Sequence, residues 1–300
     1  MLQTFDERNR NLIININGEL IHRDKAGISP FDSVVQGGDG VWEGLRLYDG
    51  RIFKLVEHLQ RLQGSAKALA FSQVPEIDYF IDEIRKTLDA NEMRDGVHVR
   101  LTLTRGVKLT SGMDPRLNQA GPTLIVLPEW KQPVYDTAGL TFMTSSIRRF
   151  PPDCLDPKIH HNNLLQSIMA KIEANAAGAD SALMLDREGF IAEANGTHVF
   201  VVQHGCVFTS AADACPEGIT RDTVLEICQQ NGFPVHVGRI STTDAYRAEE
   251  MFCTGTMGEL AAVTRLDGRT IGTGEPGPIT KALSDLYSEE TGRSGYQIIS

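Results

Sequence analysis

Cysteine is scarce and badly placed for any structural use. There are five (Cys154, Cys206, Cys215, Cys228 and Cys253), an odd number, with no C-x-x-C pair among them. This argues against a zinc ribbon or a disulfide framework and fits a reducing cytoplasm. No apolar run approaches the roughly 20 residues that a membrane-spanning helix needs. The opening residues, MLQTFDERNRN, are polar and charged, so no secretory leader is expected. Positive charge is in deficit: 29 Lys and Arg against 39 Asp and Glu give a formal net charge of −10. A chain of that sign repels phosphate backbones, and general binding to nucleic acid is disfavoured. Several common catalytic signatures are also missing. GGDG at 37–40 has no following GK[ST], and G-x-S-x-G, H-E-x-x-H and the EF-hand loop do not occur. His160 and His161 are adjacent rather than four apart, so they do not form a helical metal pair, and no metal site is expected.

What remains is an ordinary globular composition, 41% hydrophobic and 23% charged over 300 residues, enough for two modest domains. The first part reads as mixed α and β. LIININGELIHRD alternates apolar and polar residues around Asn17-Gly18, which predicts a hairpin. A glycine-rich stretch, QGGDGVWEGLRLYDGRIFKL, reads as a loop with strand-like flanks. Leu55, Leu59, Leu62, Ala66 and Leu69 recur at helical spacing, and 77–93 reads as a second amphipathic helix. VHVRLTLTRG and PTLIVLPEW read as strands, separated by a long polar loop at 106–121. Loops of that length in compact domains are often functional. The pattern changes after KQPVYDTAG. Short strands then alternate with helices expected at 163–178, at 218–232 and near the C-terminus. The reading is an α+β protein with a small domain at 1–127, a linker at 128–136 and a larger domain at 137–300.

Four short segments carry chemistry. Arg61 lies in EHLQRL on a helix, where an arginine is either solvated or available to an anion. PEGITRD opens a helix at Gly218, which is either an ordinary capped helix start or, through the free N–H groups of Ile219 and Thr220, a place for a phosphate. FCTGTMGEL ends a strand in Thr254, Gly255 and Thr256, either a plain strand-to-loop turn or a second place for a phosphate or carboxylate. GFIAEANGTHVF puts Glu193 in an otherwise apolar strand. There it is either an edge residue or a buried carboxylate that needs a partner.

The order of GDGVWEGLRLYDG, EHLQRL, TRG, GFIAEANGTHVF, GITRD, FCTGTMGEL and GPITK resembles the class IV aminotransferases. These are pyridoxal-phosphate enzymes of fold type IV, and the resemblance runs over nearly the whole chain. It implies that Arg61, Ile219, Thr220 and Thr256 hold the phosphate of pyridoxal 5'-phosphate. It implies that Glu193 faces the pyridine nitrogen and keeps it protonated, so that the ring can accept electrons. Thr256 and Met257 stand where relatives bind the substrate carboxylate, and Trp42 where an aromatic walls the substrate pocket. Arg100 lies where branched-chain enzymes receive the glutamate side chain. Lys108, in the 106–121 loop, is placed to select a carboxylate.

The same family needs a lysine that forms a Schiff base with the cofactor and then carries the substrate proton. It stands three or four residues before the asparagine that opens the following helix. In LDPKIHHNNLLQS, a count from Asn163 reaches His160 or Ile159, whereas a count of four from Asn162 reaches Lys158. Either Lys158 is the Schiff-base residue, with His160 beside the cofactor, or His160 replaces the lysine. Residues two apart in an extended segment share a face, so Lys158 could serve the same pocket. The expected function is transamination between a small, branched-chain amino acid and 2-oxoglutarate by a cytoplasmic homodimer. A D-amino-acid or (R)-amine transaminase and an aminodeoxychorismate-type lyase are the alternatives within the fold. A cofactor-binding protein without transaminase activity is the alternative outside it.

Overall fold

The computed structural model describes residues 3–133 and 138–299, so positions 134–136 of the expected linker lie outside the described residues. Contacts divide the chain into two compact units. The N-terminal unit takes the chain up to 132, then 159–163 and the residues from 291 onward. The C-terminal unit takes 133–158 and 164–290.

The N-terminal unit is an antiparallel sheet backed by two helices. Its seven strands, among the described residues, run in the order Tyr296–Gln297, Arg51–Ile52, Gly40–Tyr48, Val97–Thr104, Thr123–Trp130, Ile13–Ile16 and Glu19–His22. The first hairpin turns as expected. Asn17 and Gly18 both adopt positive φ (51° and 85°), and Ile16 pairs with Glu19. The helices Leu55–Ala68 and Ile77–Ala90 fall where the apolar spacing places them. Their faces, with Leu55, Leu59, Leu62, Phe80, Ile84 and Leu88, pack on Leu45, Leu47, Val99 and Leu101 of the sheet. Each such burial is worth about 1.5–3 kcal/mol.

The glycine-rich stretch is not a loop. Gly40–Tyr48 is a nine-residue strand that pairs from Gly40 to Leu47 with Val97–Thr104. Its glycines serve close approach rather than turning. A Cβ on Gly40 would meet Asn162 Nδ2 at 2.9 Å, and one on Gly44 would meet His98 Nε2 at 3.1 Å. Asn162 is there because 159–163 lies along the start of this strand. Trp42 N–H donates to His160 O at 2.9 Å, and Asn162 N–H donates to Gly40 O at 2.8 Å.

The C-terminal unit is a mixed sheet with helices. Its main path runs Val235–Val237, Cys206–Thr209, His198–Gln203, Glu250–Gly255, Glu259–Leu266, Leu140–Thr144, Ser181–Leu185 and Ile191–Ala194. Pairing is parallel at both junctions of Leu140–Thr144 and at the Val235 edge, and antiparallel elsewhere along the path. Phe142, Leu183, Val199, Val201, Met251, Cys253 and Val263 fill its core. The helix Ile219–Gln230 packs on the strand Glu250–Gly255. The strand Glu259–Leu266 is not legible in the sequence, because its start overlaps the polar turn GTMGE.

Candidate active site

In the N-terminal unit two of the expected residues, Arg61 and His160, meet on one that sequence reasoning passed over. Glu43 is fully buried in the strand Gly40–Tyr48, next to Trp42. Arg61, on the helix Leu55–Ala68, donates Nε to Glu43 Oε1 at 2.8 Å and Nη2 to Oε2 at 2.7 Å. His58 Nδ1 lies 2.7 Å from Oε2, and His160 Nδ1 lies 3.3 Å from Oε1. Burial pushes the Glu43 pKa up, but the Arg61 guanidinium and then His160 outweigh it, holding the carboxyl well below the usual range. The His160 imidazole is driven the other way. Burial lowers its pKa more than the Glu43 carboxylate raises it. The signal for Glu43 was present in the sequence: a carboxylate in an apolar strand, the same feature that singles out Glu193.

His160 also stacks on Trp42, ring centres 4.3 Å apart, and Trp42 Nε1–H donates to His161 O at 3.2 Å. The Arg100 guanidinium lies 3.7 Å from the Trp42 ring centre. Burial lowers its pKa to about 10. Its polar contact is to Asn162 Oδ1 at 3.5 Å, and among the described residues it has no carboxylate partner. Lys108 is committed within its own loop. It is buried, and its Nζ donates to Gly112 O at 2.5 Å.

The remaining expected residues lie in the C-terminal unit. Glu193 is buried in Ile191–Ala194 and ion-paired to Arg149, a residue without any periodic signal in the sequence. Burial raises the Glu193 pKa to about 7 despite Arg149. The Glu193 carboxylate is close enough to Cys215 to add to the burial that pushes this thiol up to about 12. Cys215 stands three residues before Gly218, where the helix Ile219–Gln230 begins without a side-chain cap. Thr220 is buried in its first turn and Ile219 half-buried. The space here is tight: a Cβ on Gly218 would meet the His198 ring at 2.3 Å. His198 pairs across the sheet with Thr254, whose buried Oγ1 has no hydrogen-bond partner among the described residues. Thr256 and Met257 are half-buried in the turn that follows Thr254. Free helix N–H groups, an orphaned hydroxyl and a buried carboxylate on one unit fit a ring that carries a phosphate at one end and a basic nitrogen at the other.

Lys158 also belongs to this unit. It is exposed, with Nζ 3.9 Å from Glu217 Oε1. The unit boundary falls between Lys158 and Ile159, and Lys158 and His160 acquire different partners: Glu217 for Lys158, and Glu43 with Arg61 for His160. No group of His, Cys, Asp and Glu among the described residues could hold a metal ion.

The family model for amino-transferase class IV matches residues 40–266. Branched-chain-amino-acid aminotransferase-like protein 1 of Arabidopsis thaliana is 51% identical over 97% of this chain and 52% of its own length. The chain thus spans about half the length of the first curated relatives it matches. A putative branched-chain-amino-acid aminotransferase of Methanocaldococcus jannaschii is 37% identical over 95% of this chain and 98% of its own. Among solved structures, a T.th. branched-chain amino acid aminotransferase complexed with N-(5'-phosphopyridoxyl)-L-glutamate superposes with a TM-score of 0.88. It is 32% identical, over 94% of this chain and 95% of that one. With its two α+β units, its segment order and these matches, the chain belongs to the class IV aminotransferase family.

Proposed function

We propose that the chain is a pyridoxal-phosphate-dependent transaminase acting between a small, branched-chain amino acid and 2-oxoglutarate. The observation that carries the reading is the pairing, on one unit, of the buried Glu193 carboxylate with the uncapped helix start at Gly218. The branched-chain names of the relatives and the phosphopyridoxyl-glutamate of the solved neighbour support the substrate class.

When bound, pyridoxal phosphate supplies the electron sink that lets an amino acid lose its Cα proton. The N–H groups of Ile219 and Thr220 and the Thr256 hydroxyl bind its phosphate, with Arg61 as the charged partner. Glu193 holds a proton at the pyridine nitrogen. Trp42 would wall the substrate, Met257 N–H would bind the substrate carboxylate, and Arg100 would select the acceptor's second carboxylate, with Lys108 joining it only on releasing Gly112 O. Arg100 suits that role because it is a half-buried cation without a carboxylate partner among the described residues. Lys158 would supply the amine that holds the cofactor and carries the proton; its Nζ is exposed and 3.9 Å from Glu217 Oε1. His160, held beside Glu43, would stand near the cofactor.

A second reading rests on His160. It stands at the three-residue count before Asn163, and imidazole cannot hold an aldehyde as an imine, so cofactor could be bound without turnover. Purified protein mixed with pyridoxal phosphate and reduced with borohydride separates the two. The adduct is expected on the peptide carrying Lys158, and L-Val or L-Ile should bleach the unreduced yellow form and yield L-glutamate from 2-oxoglutarate. Bound cofactor with no adduct and no bleaching would favour the second reading. An adduct on another lysine would overturn the Lys158 assignment.

We place the protein in the cytoplasm as a homodimer. Five free cysteines support the compartment, and exposed Leu109 and Met113 in the 106–121 loop support a partner across that loop.

A further inference from the structure

Arg149 is held in place before it meets Glu193. Its backbone N–H donates to Leu185 O at 2.8 Å, which pins the segment after Leu140–Thr144 beside the strand Ser181–Leu185. That strand pairs with Ile191–Ala194, with Met184 opposite Glu193. Arg149 Nη1 donates to Ser167 Oγ at 3.1 Å on the helix Leu165–Ala176. The guanidinium is thus fixed from a strand and a helix, and its Nη2 forms the ion pair with Glu193 Oε1. Both side chains are about nine-tenths buried, at 11% and 6% exposure, so water screens the pair little. The neighbouring Arg148 turns to a different acceptor, Ser145 O at 2.9 Å.

The other groups near Glu193 cannot replace Arg149. Cys215 carries a neutral thiol. His198 Nδ1 lies 3.9 Å from the Cys215 sulfur. Arg221 is spent on Ser210 O at 2.8 Å and on Asp222 at 2.7 Å. Arg149 is the one cation paired with Glu193 among the described residues.

We propose that Arg149 is a positioning residue for transamination, fixing the Glu193 carboxyl and favouring its ionised form so that it can keep a proton on the pyridine nitrogen. The inference rests on the reading of Glu193 given above. A buried carboxylate left alone would keep its own proton through neutral pH and would then have no charge to offer the ring. With Arg149 present, burial still lifts Glu193 to about 7, so the balance lies within the working range and the guanidinium decides it.

The test compares Arg149→Met, Arg149→Lys and Glu193→Gln. In the ligand-free protein, carbon-13 NMR of the Glu193 carboxyl should show its titration midpoint moving up by at least one pH unit in Arg149→Met. Arg149→Lys should restore most of the shift. With pyridoxal phosphate bound, the pH at which the cofactor's visible absorbance changes should move in Arg149→Met and largely return in Arg149→Lys. The kcat of Arg149→Met with L-Val should fall tenfold or more with little change in KM. The double variant Arg149→Met/Glu193→Gln should be no slower than Glu193→Gln alone. An unmoved Glu193 midpoint, alongside a slowed Glu193→Gln, would overturn the role of Arg149 and leave that of Glu193 standing. A Glu193→Gln variant with parental absorbance and rate would instead remove the reading on which the inference rests. If Arg149→Met does not fold, Arg149→Gln takes its place as the uncharged variant: its Glu193 midpoint should lie at least one pH unit above the parent's, with that of Arg149→Lys between the two.

Discussion

Two of the buried carboxylates, Glu43 and Glu193, solve the same problem in opposite ways. Glu43 has a bidentate arginine and two imidazoles and stays ionised far below neutral pH. Glu193 has one arginine, and burial wins. Its folded pKa of about 7 lies above the ordinary 4.5, which fixes the sign of its effect on stability. Below pH 4.5 it is protonated whether the chain is folded or not and costs nothing. As pH rises towards 7 the unfolded chain releases that proton while the folded one keeps it, so stability falls. The accumulated loss is on the order of 3 kcal/mol. Glu193→Gln should abolish that fall in the ligand-free protein. Denaturant midpoints at about pH 5 and about pH 8 are expected to converge in the variant relative to the parent, and an unchanged difference would show that Glu193 does not titrate in this interval.

Arg61 carries a lesson at the same scale. From the sequence it reads as a helix arginine available to a phosphate, but in the fold it also neutralises a fully buried carboxylate. Arg61→Ala should therefore destabilise the protein by about 3–5 kcal/mol, well beyond any loss of cofactor binding, because it strands a buried charge. Adding Glu43→Gln should recover a large share of that loss. Equal stability of the single and double variants, read by urea unfolding, would mean that Glu43 does not depend on Arg61.

At the scale of elements, the helices and most strands were legible because their burial follows a simple period. The helix Leu55–Ala68 shows its buried face directly in Leu55, Leu59, Leu62 and Ala66. The strand Gly40–Tyr48 was hidden, because glycine suggests a turn when only the sequence is visible, whereas here it makes room for a crossing segment more than a hundred residues away. Gly218 has a similar role at the helix that follows it. Its φ of −76° suits any residue, so the requirement is space against His198. Gly218→Ala should push that ring or the helix start aside, costing about 1–3 kcal/mol and loosening the grip on a phosphate. Thermal unfolding and equilibrium dialysis with pyridoxal phosphate would measure the two effects. A variant with parental stability and affinity would show that the site yields without strain.

For the whole molecule, what the linear sequence could not reveal is non-local. The short run 159–163 and the last residues join the N-terminal unit, so a count from an asparagine cannot say which of Lys158 and His160 serves which partner. The C-terminal unit also leaves apolar surface in water. Leu165, Ile168, Met169 and Ile172 follow one another at spacings of three, one and three on the helix Leu165–Ala176 and are 67%, 51%, 51% and 60% exposed. Ala170 and Ala174 fill its buried face, so the larger side chains are the ones turned outward. An apolar stripe of that kind marks a contact with another molecule, and a second copy of this chain is the occupant that the proposed homodimer supplies. Ile168→Asp together with Ile172→Asp puts two carboxylates into such a contact without touching the helix's buried face. Sedimentation is expected to show a dimer for the parent and a monomer for this variant, with matching circular dichroism and reduced turnover. A parent that sediments as a fully active monomer would reject the dimer. A variant that remains dimeric would place the contact elsewhere, with Leu109 and Met113 of the 106–121 loop the next surface to charge.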